Sequence, residues 1–479
     1  MKNRIFSIFF LKVRPYLFYK DFDIMKEHTI AAISTAQGEG GIGIIRISGE
    51  DAISIADKVF SPISSKALRT LEGYSASYGK ILENGEVLDE AVAIVYRAPR
   101  SFTGENVVEL CCHGGLFVTR QVLRVVLSNG AVLAEPGEFT KRAFLNGKMD
   151  LLEAQSVMDI ISAKSRQAAR AAISVREGAL SKKISKVKAE LLTLAAHLSA
   201  WADYPEEDIP EVEDYAVLET LKNADKSLRK LIDDYDRGKS VTKGVDTVIV
   251  GKPNVGKSTL MNLLSGFDKS IVTEIPGTTR DVVEETVILG DLVLRLSDTA
   301  GIRETDNPVE KIGVLKARQR LNSGALVLAV FDGSEEFSQE DRELVDSLSQ
   351  IPCVAIINKT DLEKKLDDSY IKEKIGKTVC LSAKEGVGEE ELEKAITEVI
   401  GAENFDASAG ILSSEAQRET VVSALRSLNE AENALTFGFS LDAVTVCIEE
   451  TIENLMKLTG ESVSEAVVNE VFHNFCLGK

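Results

Sequence analysis

Eight residues, Gly251-Lys252-Pro253-Asn254-Val255-Gly256-Lys257-Ser258, follow the apolar run Thr247–Val250. They spell GxxxxGK[ST] in the strand–loop–helix setting that a phosphate-binding loop requires. Its glycines let backbone N–H groups approach phosphates, and the N-terminus of the following helix favours their charge. Lys257 is expected on the β- and γ-phosphates and Ser258 on Mg²⁺, with Asn254, Val255, Gly256 and Thr259 around the same nucleotide. A second apolar run, Val293–Ser297, ends in Asp298-Thr299-Ala300-Gly301, which supplies a carboxylate for the Mg²⁺ shell and a glycine N–H for the γ-phosphate. A third, Val354–Ile357, leads into Asn358-Lys359-Thr360-Asp361. A carboxylate there accepts hydrogen bonds from the guanine N1–H and exocyclic amine, a donor pair that adenine lacks. Ser382-Ala383-Lys384, after Val379–Leu381, is placed to back the base. Four motifs in this order, each at a strand end, predict a domain over residues 243–401 that binds and hydrolyses GTP. Ile302 stands directly after Gly301, where many small GTPases carry a water-orienting glutamine. An isoleucine cannot polarise water, and no arginine finger is legible, so catalytic help must come from elsewhere.

Other elements must carry this site. Residues 29–47 read as two short strands around a Gly-rich turn, with further strands at Val92–Tyr96 and Val107–Cys111 and a helix over Leu116–Ser128. Together they predict a small α+β domain ending near residue 145. From Asp150 the period changes. Leu180, Ile184, Val187, Leu191, Leu194 and Leu198 alternate steps of four and three, the mark of a packed helical stripe. The acidic stretch Asp203–Asp214 breaks it, and another helix is expected to about Asp236. The same period returns at Val421, Leu425, Leu428 and Leu435, then at Leu441, Val444, Ile448, Ile452 and Leu455, with Gly460 as a C-cap. Each amphipathic face needs a partner, so residues 150–236 are expected to pack against 412–471 as one bundle, with the nucleotide-binding domain inserted between them.

Bulk numbers agree with a multidomain globular chain: 479 residues, 44% hydrophobic and 27% charged. A net charge of −19 argues against a broad footprint on nucleic acid, which needs a clustered basic face. Six cysteines without a CxxC pair offer no disulfide framework and point to a reducing cytoplasm. Cys111-Cys112-His113 has no second half of a metal site nearby and reads as structural. Residues 1–24 carry seven aromatics among five basic residues and look like an upstream extension from a start-site assignment, neither signal peptide nor span. No other segment is apolar and long enough to cross a bilayer.

Several longer strings carry a family resemblance: GGIGIIRISG at 40–49, SFTGENVVEL at 101–110, PGEFTKRAFLNGKMDL at 136–151, IPGTTRD at 275–281, DTAGIRE at 298–304 and the terminal FCLGK. With the phosphate-binding loop, they make the chain resemble the MnmE (TrmE) family of bacterial tRNA-modification GTPases from Met25 to Lys479. The resemblance implies a multidomain α+β and α/β fold: an N-terminal folate-binding, dimer-forming domain (25–147), a discontinuous all-α helical domain (148–242 and 402–479), and an inserted Ras-like G domain (243–401). It implies a homodimer that works with an FAD- and NADH-using protein of the MnmG type. Together they would install a carboxymethylaminomethyl-type group at C5 of the wobble uridine (U34) of certain tRNAs, from a tetrahydrofolate one-carbon donor. The missing glutamine would be replaced by K⁺ and a glutamate. Asn254, Thr273, Ile275 and Thr278 match the K⁺ site, within the nucleotide-contacting loop Thr273-Glu274-Ile275-Pro276-Gly277-Thr278-Thr279. Thr279 matches the second Mg²⁺ ligand and Glu310 the water-activating carboxylate; without the resemblance, Glu310 would read as a solvated helix residue. A monovalent cation beside the phosphates neutralises charge growing in the transition state. Arg46, Glu109, Lys148 and Lys479 match folate contacts, and the tail would bring Cys476 close to the one-carbon unit, across a dimer or within one chain.

A ribosome-assembly GTPase of the Era or Der kind is the alternative, since it shares the GxPNxGKS and GTTRD strings. Such proteins usually add a basic RNA-binding domain, whereas this chain is acidic and ends in FCLGK. A G-protein scaffold that binds GTP and barely turns it over is a third reading, which measured hydrolysis separates.

Overall fold

The computed structural model describes residues 28–203, 213–266, 285–296, 326–403 and 405–479. Residues 1–27, 204–212, 267–284, 297–325 and 404 lie outside these, and with them Thr273 to Thr279, Asp298 to Gly301, Ile302 and Glu310. Two units emerge, and each is described separately. One comprises the N-terminal residues to Met158 with Ile184–Leu221 and Arg426–Lys479; the other comprises Asp159–Lys183 and Lys222–Leu425.

The first unit opens with β1 (Ile30–Ile33), β2 (Gly43–Ser48), α1 (Ala52–Val59), β3 (Phe60–Pro62), β4 (Ser75–Glu83), β5 (Glu86–Tyr96), β6 (Val107–Cys112), α2 (Leu116–Ser128), β7 (Val132–Leu133) and α3 (Glu138–Leu145). The strands form one sheet in the order β3-β4-β5-β6-β2-β1-β7, antiparallel except for the β1–β7 pair. Strand residues alternate between faces. Ile45 and Ile47 of β2, with Val108 and Leu110 of β6, therefore enter a core shared with Ala56 of α1 and Val122 and Val126 of α2. Arg46 and Glu109, one residue out of phase, face the other way. The two expected strands of 29–47 are β1 and β2, and the helix has the expected bounds. The β3–β4 pair and the first half of β5 went unread, because strands such as SASYGKILE carry too few β-branched residues to announce themselves.

Helices α4 (Leu151–Ser162), α5 (Arg166–Arg176), α6 (Ala179–Asp203) and α7 (Asp214–Lys243) follow. The stripe from Leu180 to Leu198 lies along α6 and every member of it is buried. Helix α7 runs seven residues beyond Asp236, since Arg237-Gly238-Lys239 gives the chain no reason to stop: Gly238 lies against Phe405 and Ile411, where any side chain would collide.

The second unit holds β8 (Val245–Val250), α8 (Lys257–Gly266), β9 (Glu285–Leu289), β10 (Leu292–Leu296), β11 (Leu326–Asp332), α9 (Gln339–Leu348), β12 (Cys353–Asn358), α10 (Ser369–Lys374), β13 (Thr378–Cys380) and α11 (Glu389–Val399). Its sheet runs β13-β12-β11-β8-β10-β9, parallel except for the β9–β10 hairpin. All seven residues of β11 and all six of β12 are buried, as expected of parallel strands covered on both faces. One face packs on Leu260 and Leu264 of α8 and Leu392 and Ile396 of α11. The other packs on Val345 and Leu348 of α9 and Ile371 of α10. This is the doubly wound arrangement in which ligands bind beyond the carboxyl ends of the strands.

The chain closes with α12 (Glu415–Thr436), α13 (Leu441–Thr459) and α14 (Glu465–His473). Gly460 ends α13 in the left-handed conformation, with its N–H returned to the carbonyls of Lys457 and Met456.

Candidate functional site

The loop after β8 owes its shape to backbone that most residues would not adopt. Gly251 (φ 153°) and Gly256 (φ 98°) lie in the region favouring glycine, and Asn254 (φ 64°) joins them. A side chain on Gly251 would meet the Val330 carbonyl at 2.4 Å, and one on Gly256 would meet the Asn358 amide at 2.1 Å. The loop thus closes tightly on the ends of β11 and β12. Lys257 opens α8, and its ammonium donates to the carbonyls of Gly251 and Lys252, both at 2.6 Å. This holds a cation over the concave face of the loop, where phosphate oxygens would compete for it. Ser258 and Thr259 are exposed on the first turn of α8, and a serine hydroxyl there is a suitable oxygen ligand for Mg²⁺.

Asn358, at the end of β12, does not reach outward at all. It is 2% exposed, donates through Nδ2 to the Val255 carbonyl (2.9 Å) and accepts through Oδ1 from the Ala383 N–H (2.9 Å). One side chain therefore ties the phosphate loop to the Ser382-Ala383-Lys384 loop. Lys359, left-handed at φ 65°, turns its ammonium to Asp332 at the end of β11. Burial pushes the Asp332 carboxyl up, but bonds from Lys359 and from the Ser334 hydroxyl and N–H outweigh it and hold the group below its ordinary range. Asp361 is exposed, and its Oδ1 accepts from the Ser382 hydroxyl at 2.6 Å. That bond is the main reason its carboxyl stays below the ordinary range. The carboxylate is therefore ionised and fixed in direction, as an acceptor for two guanine N–H groups must be. Thr360 is held through its N–H by the Leu381 carbonyl (3.3 Å). One contact escaped sequence reading: Lys252 donates to Ser338 (3.0 Å) and to buried Asp341 (2.8 Å), the capping box of α9. The pattern Ser338-x-x-Asp341 was its signal.

In the first unit, Arg46 and Glu109 stand directly opposite in the β2–β6 register. The guanidinium contacts Glu109 Oε1 through Nε (2.9 Å) and Nη2 (2.8 Å), and Tyr96 donates to Oε2 (3.3 Å). The rings of Phe102 and Phe139 lie 5.7 and 5.6 Å from the guanidinium. Onto this pair comes the C-terminal tail of the same chain. Gly478 offers its carbonyl to Arg46 Nη1 (3.4 Å) and to the Ser34 hydroxyl (3.0 Å). The N–H groups of Gly137 and Phe139, at the start of α3, donate to the carbonyls of Cys476 (3.4 Å) and Lys479 (3.2 Å). Phe475 anchors the segment, 8% exposed and 5.0 Å from Phe472. The Cys476 side chain is exposed. Lys148 turns to the Pro99 carbonyl (3.0 Å) on the loop that also carries Phe102, and its stem lies under Gly104. Cys112 packs into the sheet core while the His113 ring bonds Asp89 at 2.7 Å, so adjacent residues point to different surroundings. No cluster of three or more metal-ligating side chains occurs among the described residues.

Two family models match the chain: the MnmE helical domain over residues 151–476 and the N-terminus of the GTP-binding protein TrmE over residues 29–148. The tRNA modification GTPase MnmE of Acetivibrio thermocellus is 43% identical over 459 residues, spanning 95% of this chain and 100% of that relative. The chain belongs to the MnmE family of tRNA modification GTPases. The MnmE of Thermoanaerobacter pseudethanolicus is 42% identical over 456 residues, covering 94% of this chain and 99% of the relative. Among solved structures, the G domain of the FeoB iron transporter of T. maritima covers 32% of this chain and 98% of its own, at 29% identity and a TM-score of 0.25. Membership makes the chain a GTP-binding GTP hydrolase of tRNA modification, built from a TrmE N-terminal domain, a helical domain and a Ras-like G domain. No helix among the described residues is long and apolar enough to cross a membrane.

Proposed function

We propose that GTP hydrolysis by this chain drives the addition of a carboxymethylaminomethyl-type group to C5 of the wobble uridine of certain tRNAs, with an FAD-dependent partner of the MnmG type and a tetrahydrofolate one-carbon donor. The observation that carries the folate part is the seating of the tail on the Arg46–Glu109 pair. A carboxylate suits the amino and ring N–H groups of a pterin, which would share the acceptor capacity of Glu109 with Arg46 and Tyr96, and a guanidinium suits polar or anionic folate groups. Lys148 and Lys479 are assigned to the same ligand. The Cys476 thiol is exposed, and the test below decides whether the chemistry needs it. The chain works as a homodimer in the cytoplasm. In the G domain, Ser258 and Thr279 are the proposed Mg²⁺ ligands and Asn254, Thr273, Ile275 and Thr278 the K⁺ ligands, with Glu310 positioning water. Bound K⁺ would supply the positive charge that Ile302 cannot. Asn254 supports this in one respect: it stands exposed on the phosphate loop, in a left-handed backbone conformation.

The experiment is mass-spectrometric analysis of wobble uridine in tRNA from a deletion strain carrying either the wild-type gene or Gly478→Ala. Gly478 has φ 86°, and a Cβ there would lie 2.3 Å from the Ile33 carbonyl, so the substitution must unseat the tail. Loss of the modification with GTP hydrolysis retained is expected. Full modification in the deletion strain refutes the function, and full modification by Gly478→Ala refutes the tail's part in it. Cys476→Ser, in the same assay, decides whether the thiol is needed.

A further inference from the structure

The hairpin between α12 and α13 ends in an aromatic pair that stands largely clear of the other described residues. Phe437 is 76% exposed and Phe439 64%, and Val446, one turn into α13, is 62% exposed. The backbone that carries them is fixed. Gly438 is left-handed (φ 74°); its N–H returns to the Leu435 carbonyl (3.1 Å) and that of Phe439 to the Ala434 carbonyl (2.9 Å). That is the paired hydrogen-bond pattern of a Schellman stop, in which the residue after the glycine ordinarily folds its apolar side chain back onto the helix. Phe439 occupies that position and stays out in solvent. Two exposed aromatics on a hydrogen-bonded turn at a helical tip have the form of interface anchors, with little backbone freedom left to lose on binding.

Charge narrows the occupant. The segment from Ser427 to Met456 contains Glu430, Glu432, Asp442, Glu449, Glu450 and Glu453 and no lysine or arginine. Glu449, Glu450 and Glu453 follow Val446 at helical spacings of three, four and seven, on the same face. The Cys447 thiol is raised first by burial and then by the carboxylates of Glu430 and Glu450, so the acidic field spans both helices of the hairpin. A polyanionic tRNA is repelled by such a tip. A second copy meeting this one tip to tip would bring the same carboxylates together and is disfavoured for the same reason. Of the macromolecules in the proposed function, the FAD-dependent protein remains.

We propose that the α12–α13 tip docks a protein partner through an apolar cleft rimmed by lysine and arginine, and that this partner is the FAD-dependent protein. The inference rests on the function proposed above for the partner's identity. Full-length chain and the purified FAD-dependent protein of the same genome are mixed, and affinity and rates are measured by surface plasmon resonance. The double variant Phe437→Ser/Phe439→Ser should bind at least roughly 30-fold more weakly, with GTP hydrolysis and thermal melting unchanged. Glu449→Lys/Glu450→Lys should slow association more than it speeds dissociation, and the difference should fade as NaCl is raised. Wild-type affinity in the phenylalanine double variant overturns the docking surface and leaves the proposed function standing. Failure of the wild-type chain to bind overturns both. A change in the sedimentation of the double variant alone, with no partner present, makes a second copy the occupant and overturns the assignment.

Discussion

Replacing Asn358 with alanine isolates the contact that joins the two halves of the nucleotide site. Its amide serves two backbone groups at once, the Val255 carbonyl and the Ala383 N–H, each at 2.9 Å. Asn358 is 2% exposed and Ala383 6%, so water does not readily replace the lost partners. An unsatisfied buried polar group costs about 1–3 kcal/mol, so stranding two costs about 2–6 kcal/mol of local stability. That is a large share of the 5–15 kcal/mol typical of a whole domain. Because a multidomain chain does not unfold in one step, the readout must be local. Hydrogen exchange by mass spectrometry, on the peptide spanning residues 380–386 of nucleotide-free protein, should show the Ala383 amide exchanging at least roughly 30-fold faster. Asn358→Asp keeps an acceptor for the Ala383 N–H but sets a buried carboxylate oxygen against the Val255 carbonyl, so it should retain part of that protection at Ala383. A change of less than about threefold in Asn358→Ala would refute the bridging argument. Equal exchange in the alanine and aspartate variants would refute the division of labour between Oδ1 and Nδ2.

Three further outcomes follow from the same geometry. Asp361→Asn replaces an acceptor by a donor, so GDP affinity should fall by about 10²–10⁴-fold, the loss of two hydrogen bonds to a charged group, while a nucleotide with a carbonyl in place of the exocyclic amine should gain; fluorescence titration with both nucleotides checks this. Ser382→Ala removes the bond that keeps the Asp361 carboxyl low. Its depressed pKa means that guanine affinity should survive through the ordinary carboxylate range and be lost only as pH falls through the lowered value; in Ser382→Ala the loss should begin at higher pH, as a pH series of GDP titrations would show. Asn254→Gly keeps the left-handed backbone at φ 64° while deleting the side chain, so any excess of hydrolysis in KCl over NaCl at equal ionic strength should disappear without loss of folding; persistence of the salt difference would remove Asn254 from the proposed K⁺ site.

Local chemistry determined much of this protein from the sequence alone. The phosphate loop, the Asn358–Asp361 run and the Ser382 loop announce themselves because each needs particular residue types at fixed spacing beside a strand. The helical stripe from Leu180 to Leu198 is equally legible, because burial of one helix face repeats at a fixed period. What spacing could not convey was partnership across long separations. Asn358 looks like a base contact in the sequence, yet in the fold it is spent bridging two loops 103 and 25 residues away. Arg46 and Glu109 are ordinary charges until the β2–β6 register sets them opposite each other. The tail, which as a bare sequence could have frayed or crossed to a partner, is drawn onto its own sheet by the burial of Phe475 and by Gly478, whose missing side chain allows close approach to Ile33. Those pairings are set by packing and strand register, and tertiary structure alone decides them.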